Sequence, residues 1–155
     1  MKKLLLLLLF VGFNANGADE LIISRTGLEG IAKDGLLIFV PASKGIDVKA
    51  IENQVELRLV QAGVKVNKKE IAHNILFLHA QPIENSSGVI GYALDVEAKR
   101  TIKFEANGKT YWSTGVAVWD TGGIVGKASL RDAINQSMDK FLLDYLKANP
   151  KKKDN

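Results

Sequence analysis

The sequence predicts an α+β domain: a mainly antiparallel, mixed sheet of about four to five strands with two helices packed on one face. Three observations carry that expectation. Residues 89–118 read as two long strands meeting at Asn107-Gly108, a dipeptide that suits a two-residue hairpin because both central positions need φ > 0. Residues 47–62 and 129–148 repeat apolar side chains at three- and four-residue steps, the period of an amphipathic helix. Two short apolar runs, 36–40 and 74–80, are closed by Pro41 and Pro82 and read as strands.

Ahead of these elements lies a leader. Lys2 and Lys3 precede an apolar stretch over residues 4–13 that is too short to span a bilayer, and Asn14-Ala15-Asn16-Gly17-Ala18 supplies small residues after it. Residues 1–17 therefore read as a cleaved secretory signal, with cleavage after Ala18 as the alternative. One domain over residues 18–148 and a basic tail over 149–155 remain. The chain has no cysteine, which excludes a disulfide framework, a thiolate nucleophile, a thiolate metal site and a cysteine-borne lipid anchor. The expected location is a periplasm, with an extracellular one as the alternative. No second segment is long enough to cross a membrane, so no stable membrane insertion is expected. Loss of Lys2 and Lys3 with the leader takes the formal net charge from +4 to +2, and Lys151, Lys152 and Lys153 hold part of the remainder. A body so close to neutral argues against a nucleic-acid partner, which needs a basic stripe on the folded domain.

Taken in order, residues 19–34 hold an apolar patch, Leu21-Ile22-Ile23, and three glycines, and read as an edge strand or a loosely docked arm. Leu36-Leu37-Ile38-Phe39-Val40 is an unbroken apolar run, expected to be buried on both faces and central in the sheet. In the first helix Asp47 is the cap, Val48, Ile51, Val55, Leu59 and Ala62 form the buried stripe, and Gly63 ends it. Val64 and Val66 make a short extension. The next strand, 74–80, alternates Ile75, Phe77 and His79 with Leu76 and Leu78, and a polar turn follows over 84–88.

With Asn107 and Gly108 as the turn, Phe104 faces Tyr111, Ile102 faces Ser113, Ala98 faces Ala117 and Val96 faces Trp119 on the expected core face. Small residues there admit a helix, and Phe104, Tyr111 and Trp119 fill the ends. Arg100 falls opposite Gly115 on the same face, which requires either that it snorkel past a helix or that a bulge shift the register. The opposite face then carries Lys99, Lys103, Trp112, Val116 and Val118 among threonines and Glu97. That mixture is either lysine stems lying over aromatics or a surface kept for a partner. Gly122, Gly123 and Gly126 mark an expected strand-to-helix loop, the one place suited to a small ligand. The last helix opens on Ser129 and Asp132 as a capping box and stops at Asn149-Pro150.

The residues for chemistry are sparse. His73 and His79 are the only histidines, and neither sits in a metal-binding or zinc-protease spacing. The glycines at 122–126 match neither phosphate-binding fingerprint, and no nucleophile-elbow motif occurs. No catalytic residue, metal site or cofactor is expected.

Three stretches carry a family resemblance: Leu37-Ile38-Phe39-Val40-Pro41 before a helix, the hairpin end Tyr111-Trp112-Ser113-Thr114-Gly115, and Leu130-Arg131-Asp132-Ala133-Ile134 opening the last helix. With the order strand, helix, strand, hairpin, helix, the chain resembles small bacterial envelope domains of the TolB N-terminal type and the CsgG and LpoB cores. The likeness is architectural and spans residues 36–148. TolB's propeller, CsgG's membrane-spanning segments and the lipid-bearing cysteines of CsgG and LpoB have no counterpart. The resemblance implies a non-enzymatic module that docks on another envelope protein. The expected contact surface is the open face with Trp112, Val116, Val118, Lys99 and Lys103. The alternative is a small-ligand carrier using Gly122, Gly123 and Gly126, with a hydrolase behind it.

Overall fold

A computed structural model describes residues 27–68 and 72–150. The leader, the patch Leu21-Ile22-Ile23 and the three terminal lysines lie outside the described residues. Four strands form one sheet in chain order: β1 (Leu37–Phe39), β2 (Asn74–Asn85), β3 (Gly88–Ala106) and β4 (Lys109–Gly126). Helix α1 (Val48–Gln61) crosses from β1 to β2, and α2 (Leu130–Ala148) follows β4 after a single 3-10 turn, Lys127–Ser129. The β1–β2 pair is parallel and the others are antiparallel. The domain is thus α+β with a mixed sheet. Residues 27–34 form helical and other turns, and no fifth strand occurs among the described residues.

Alternation along β2 and β3 puts Leu76, Leu78, Ala80, Tyr92, Leu94, Val96 and Ala98 on one buried face. Both helices and the turn at residues 27–35 complete that core. Val55 and Leu59 enter it from α1, Ile134, Met138 and Phe141 from α2, and Leu28 and Ile31 from the turn. Trp119 closes the β4 side, edge-on to Phe141 at 5.3 Å, with its indole N–H donating to Asp144 at 3.1 Å. Such aromatic pairs add about 0.5–1.5 kcal/mol beyond the area they bury. Arg58 of α1 ties the helices together, pairing with Asp139 and donating to Asn135 Oδ1 at 3.0 Å.

Local signals explain most element ends. Asp47 accepts from the Ala50 amide at 3.0 Å, satisfying one of the unpaired donors at the start of α1. The hairpin turns at Asn107 (φ 52°) and Gly108 (φ 69°), as the dipeptide requires. At the β2–β3 turn the Asn85 side chain accepts from the Ser87 amide at 2.8 Å.

Five expectations need correction. The run at 36–40 is not central: β1 is an edge strand, Phe39 is half exposed, and Leu36, just ahead of β1, makes an isolated bridge to Val66. Pro82 does not end β2, which continues to Asn85. Because β1 reaches only Phe77, β2 is itself an edge at Pro82, where a missing N–H is tolerated. Ser129 makes no side-chain cap bond, since the 3-10 turn ahead of α2 takes the place of the capping box. The glycine-rich segment is not a loop; Gly122, Gly123 and Gly126 lie in β4, opposite Asp95, Leu94 and Gly91. Finally, the hairpin register holds only near its turn. Phe104 pairs with Tyr111 and Ile102 with Ser113 as expected, but Ala98 pairs with Trp119 and Val96 with Thr121.

That register change has a clear cause. Two irregularities lie between Ala98 and Ile102, each placing an extra residue on β4. Gly115, with φ +71°, lies in the one between Arg100 and Ile102, a conformation that a residue with a Cβ adopts only at a cost. Arg100, displaced opposite Val116, stretches over the core edge and donates to the carbonyls of Gly27 at 3.2 Å and Glu29 at 3.1 Å.

Candidate functional site

The bulges redistribute the residues expected on the open face. Lys103 pairs with Trp112, and both stand on the open side with Lys99, as the alternation predicts. Val116 pairs with Arg100, which reaches the helix-side turn, so it shares the helix-side face. Val118 packs against the core, and Gly27 lies against it. The expected five-residue surface therefore reduces to Trp112, Lys99 and Lys103, while Ala117, expected in the core, pairs with open-face Lys99. The physical reason is parity: one extra residue in a strand sends every later side chain to the opposite face.

What remains is a shallow groove of about 350 Å³ on the open face, lined by His73, Ile75, Lys99, Thr101, Trp112 and Thr114 among others. Trp112 is its most prominent wall, 64% exposed, where a buried indole would be the ordinary outcome for so large an apolar side chain. Ile75 enters because β2 pairs it with Lys99. His73 and Ile75 were not assigned to this face by sequence reasoning, since the β2–β3 register that brings them beside the hairpin is set by a turn 10 residues away and carries no local signal.

The charges around the groove are already engaged. Lys99 Nζ lies 2.6 Å from Glu97 and 3.9 Å from the centre of the Phe77 ring, so its ammonium is both paired and seated on an aromatic face. Lys103 lies 3.8 Å from Glu105. Phe77 stacks on Phe39 at 5.8 Å and meets His79 at 6.0 Å. The lysine-over-aromatic arrangement thus holds for Phe77 but leaves Trp112 uncovered. The result is a charge-compensated apolar shelf rather than an anion or cation site.

Gly122 and Gly123 line a second depression of about 380 Å³ between β4 and α2, with Thr121, Gln136, Ser137 and Lys140. Lys140 donates to Thr121 Oγ1 across it at 3.2 Å. Gly126 is absent from this wall and stands opposite Gly91 at the strand's end. Among the described residues, no group of three or more histidines and carboxylates could hold a metal ion, and no helix is long and apolar enough to cross a membrane. No model of a known protein family matches the chain, and no curated protein matches it.

Proposed function

We propose that this is a non-enzymatic, exported protein-interaction module of the bacterial cell envelope, acting in the periplasm through the open face of its sheet. The observation that carries the reading is Trp112, two-thirds exposed beside an apolar groove whose neighbouring charges are internally paired. Exposed tryptophans beside a pocket are the residues that most often dominate binding energy at protein interfaces. Paired charges at the rim favour a partner that offers an apolar side chain, since neither Lys99 nor Lys103 has to lose water without a counter-charge. The signal-like pattern of residues 1–17 and the resemblance to small envelope domains, both read from the sequence, support the location.

A photoreactive residue at Trp112, read in intact cells against the same probe at Lys49 on α1, tests the proposal. A discrete protein adduct from position 112 alone is the expected result. Equal labelling from both positions, or none from 112, would remove this face from consideration. The depression beside Gly122 and Gly123 favours a second reading, a carrier of a small ligand. A mass increment retained in native mass spectrometry and lost on Lys140→Ala is its signature.

A further inference from the structure

Among the described residues the sheet has free strand edges on both sides, and the two differ in their chemistry. Past Phe77, where β1 ends, the outer edge of β2 carries Pro82 and Glu84, and Glu84 pairs with Lys44 at 2.9 Å. A proline and a charge are usual means of keeping an edge from pairing. The edge of β4 has neither from Thr110 to Trp119, a stretch rich in the aromatic and β-branched residues that favour strands. Toward its C-terminal end β4 is flanked, since Gly27 lies against Val118 and Lys140 of α2 reaches Thr121. The regular, unflanked part of the edge is the hairpin arm from Lys109 to Thr114, ahead of the irregularity at Gly115.

The turn fixes which groups that arm offers. A two-residue turn makes Ala106 and Lys109 a hydrogen-bonded pair, and the antiparallel alternation makes Phe104–Tyr111 and Ile102–Ser113 the next two. The backbone N–H and C=O groups of Thr110, Trp112 and Thr114 therefore point away from β3, evenly spaced about Trp112.

We propose that this arm pairs antiparallel with the same arm of a second copy of the chain, about a two-fold axis at Trp112. Thr110 then meets Thr114 of the second copy and Trp112 meets its own equivalent, so every outward backbone group of the arm is used on both sides. The side chains agree. Two threonine pairs flank a pair of indoles on the open face, and Tyr111 faces the small Ser113 on the helix side, all of them pairs that stabilise neighbouring strands. Charge selects the same partner and direction. No charge lies between Thr110 and Trp119, so no like charges meet near the axis. The two Lys109 side chains stand six positions apart, about 20 Å, whereas parallel pairing would set them side by side. The helices leave room, because they cover β3 from Tyr92 to Ala98 and Trp119 of β4, while Phe104 and Tyr111 on the helix side of the arm are 46% and 41% exposed. This inference concerns the strand edge and does not rest on the proposed partner surface, since both indoles stay on the open face. In the photocrosslinking experiment an adduct of twice the chain's mass reports this pairing, and one of any other mass reports a different partner.

Because the chain has no cysteine, introduced thiols report contact without background. Full chains carrying Tyr111→Cys and full chains carrying Ser113→Cys are mixed in equal amounts under mild oxidation. These positions face each other across the axis at about 4.5 Å between Cα atoms, whereas each stands roughly 8 Å from its own equivalent, beyond a disulfide's reach. The mixed disulfide is therefore expected to form about tenfold faster than either variant's disulfide with itself. A statistical mixture of the three products, or no linked dimer, would overturn the proposal, the latter leaving the edge to an extended segment of another protein. A pairing this small belongs with weak interfaces, so sedimentation equilibrium of the unmodified chain is read up to about 100 µM, where a dimer is expected. Thr114→Pro removes an outward N–H without touching a bond to β3, and Trp112→Lys sets two positive charges on the axis. Both variants are expected to be monomers with the circular dichroism of the parent, and Trp112→Lys alone decides should Thr114→Pro fail to fold. A monomeric parent at that concentration, or a dimer that persists in a folded variant, would equally overturn it.

Discussion

At Gly122 an added Cβ would stand 2.3 Å from the Leu94 carbonyl oxygen and 2.9 Å from Asp95 Oδ1, so β3 and β4 approach each other more closely there than a side chain allows. Gly122→Ala is therefore expected to destabilise the fold by about 1–3 kcal/mol, the usual range for forced overpacking. Gly123→Ala, where nothing lies within 4 Å, is expected to stay within about 0.5 kcal/mol. Urea unfolding of the two variants checks the contrast. Tyr145 makes a different kind of statement. Burial against Phe141 pushes its phenol above the usual range, since the charged phenolate is poorly solvated there. A raised folded-state pKa contributes stability that is fully present below the unfolded pKa of about 10 and is lost as pH rises through the folded value. The midpoint of alkaline unfolding should therefore move to higher pH in Tyr145→Phe, with little change at neutral pH.

The two helices begin by different means, and their ends should respond differently to the same kind of substitution. Asp47 accepts an amide bond at the start of α1, so Asp47→Ala is expected to cost about 1 kcal/mol. Ser129 makes no such bond, because the chain enters α2 through a 3-10 turn, and Ser129→Ala should leave stability within about 0.5 kcal/mol of the parent. Thermal melts of the two variants separate the cases. In the hairpin, the two irregularities near Gly115 decide which side chains reach the groove. Replacing Gly115 by valine introduces a branched side chain at φ +71° and is expected to destabilise the hairpin by about 1–3 kcal/mol. Faster amide exchange along residues 109–118 would report it.

Across the whole molecule the two tryptophans divide the work between stability and binding. Trp119 is buried against Phe141 and donates to Asp144, so Trp119→Ala is expected to lose about 3–5 kcal/mol. Trp112 is mostly exposed, and Trp112→Ala should change stability by less than about 0.5 kcal/mol while abolishing the protein adduct formed through the open face. Fluorescence separates them without any partner. Acrylamide should quench the emission that remains in Trp119→Ala strongly and that in Trp112→Ala weakly.

By itself the sequence determined the elements whose causes are local. The Asn107-Gly108 turn, the Asp47 cap and the two helical stripes follow from a few neighbouring residues, and together they define an α+β fold with both helices on one side of the sheet. For Arg100 the sequence left open whether it snorkels past a helix or a bulge shifts the register, and the structure shows both. Tertiary structure alone decided the order and reach of the strands. An apolar run such as residues 36–40 is equally compatible with a central strand and with an edge strand whose far side is partly open. The glycines at 122–126 can be a loop or a strand until their partners at 91–95 are in place. The candidate surface suffered most from this limit. Trp112 and Lys103 lie within a few residues of the turn, so counting outward placed them correctly, whereas Val116 and Val118 lie beyond an extra residue on β4. Side-chain parity is a sum along the whole strand: the extra residue at Gly115 reverses it for Val116 and Ala117, and a second, at Val118, returns Trp119 to the core face.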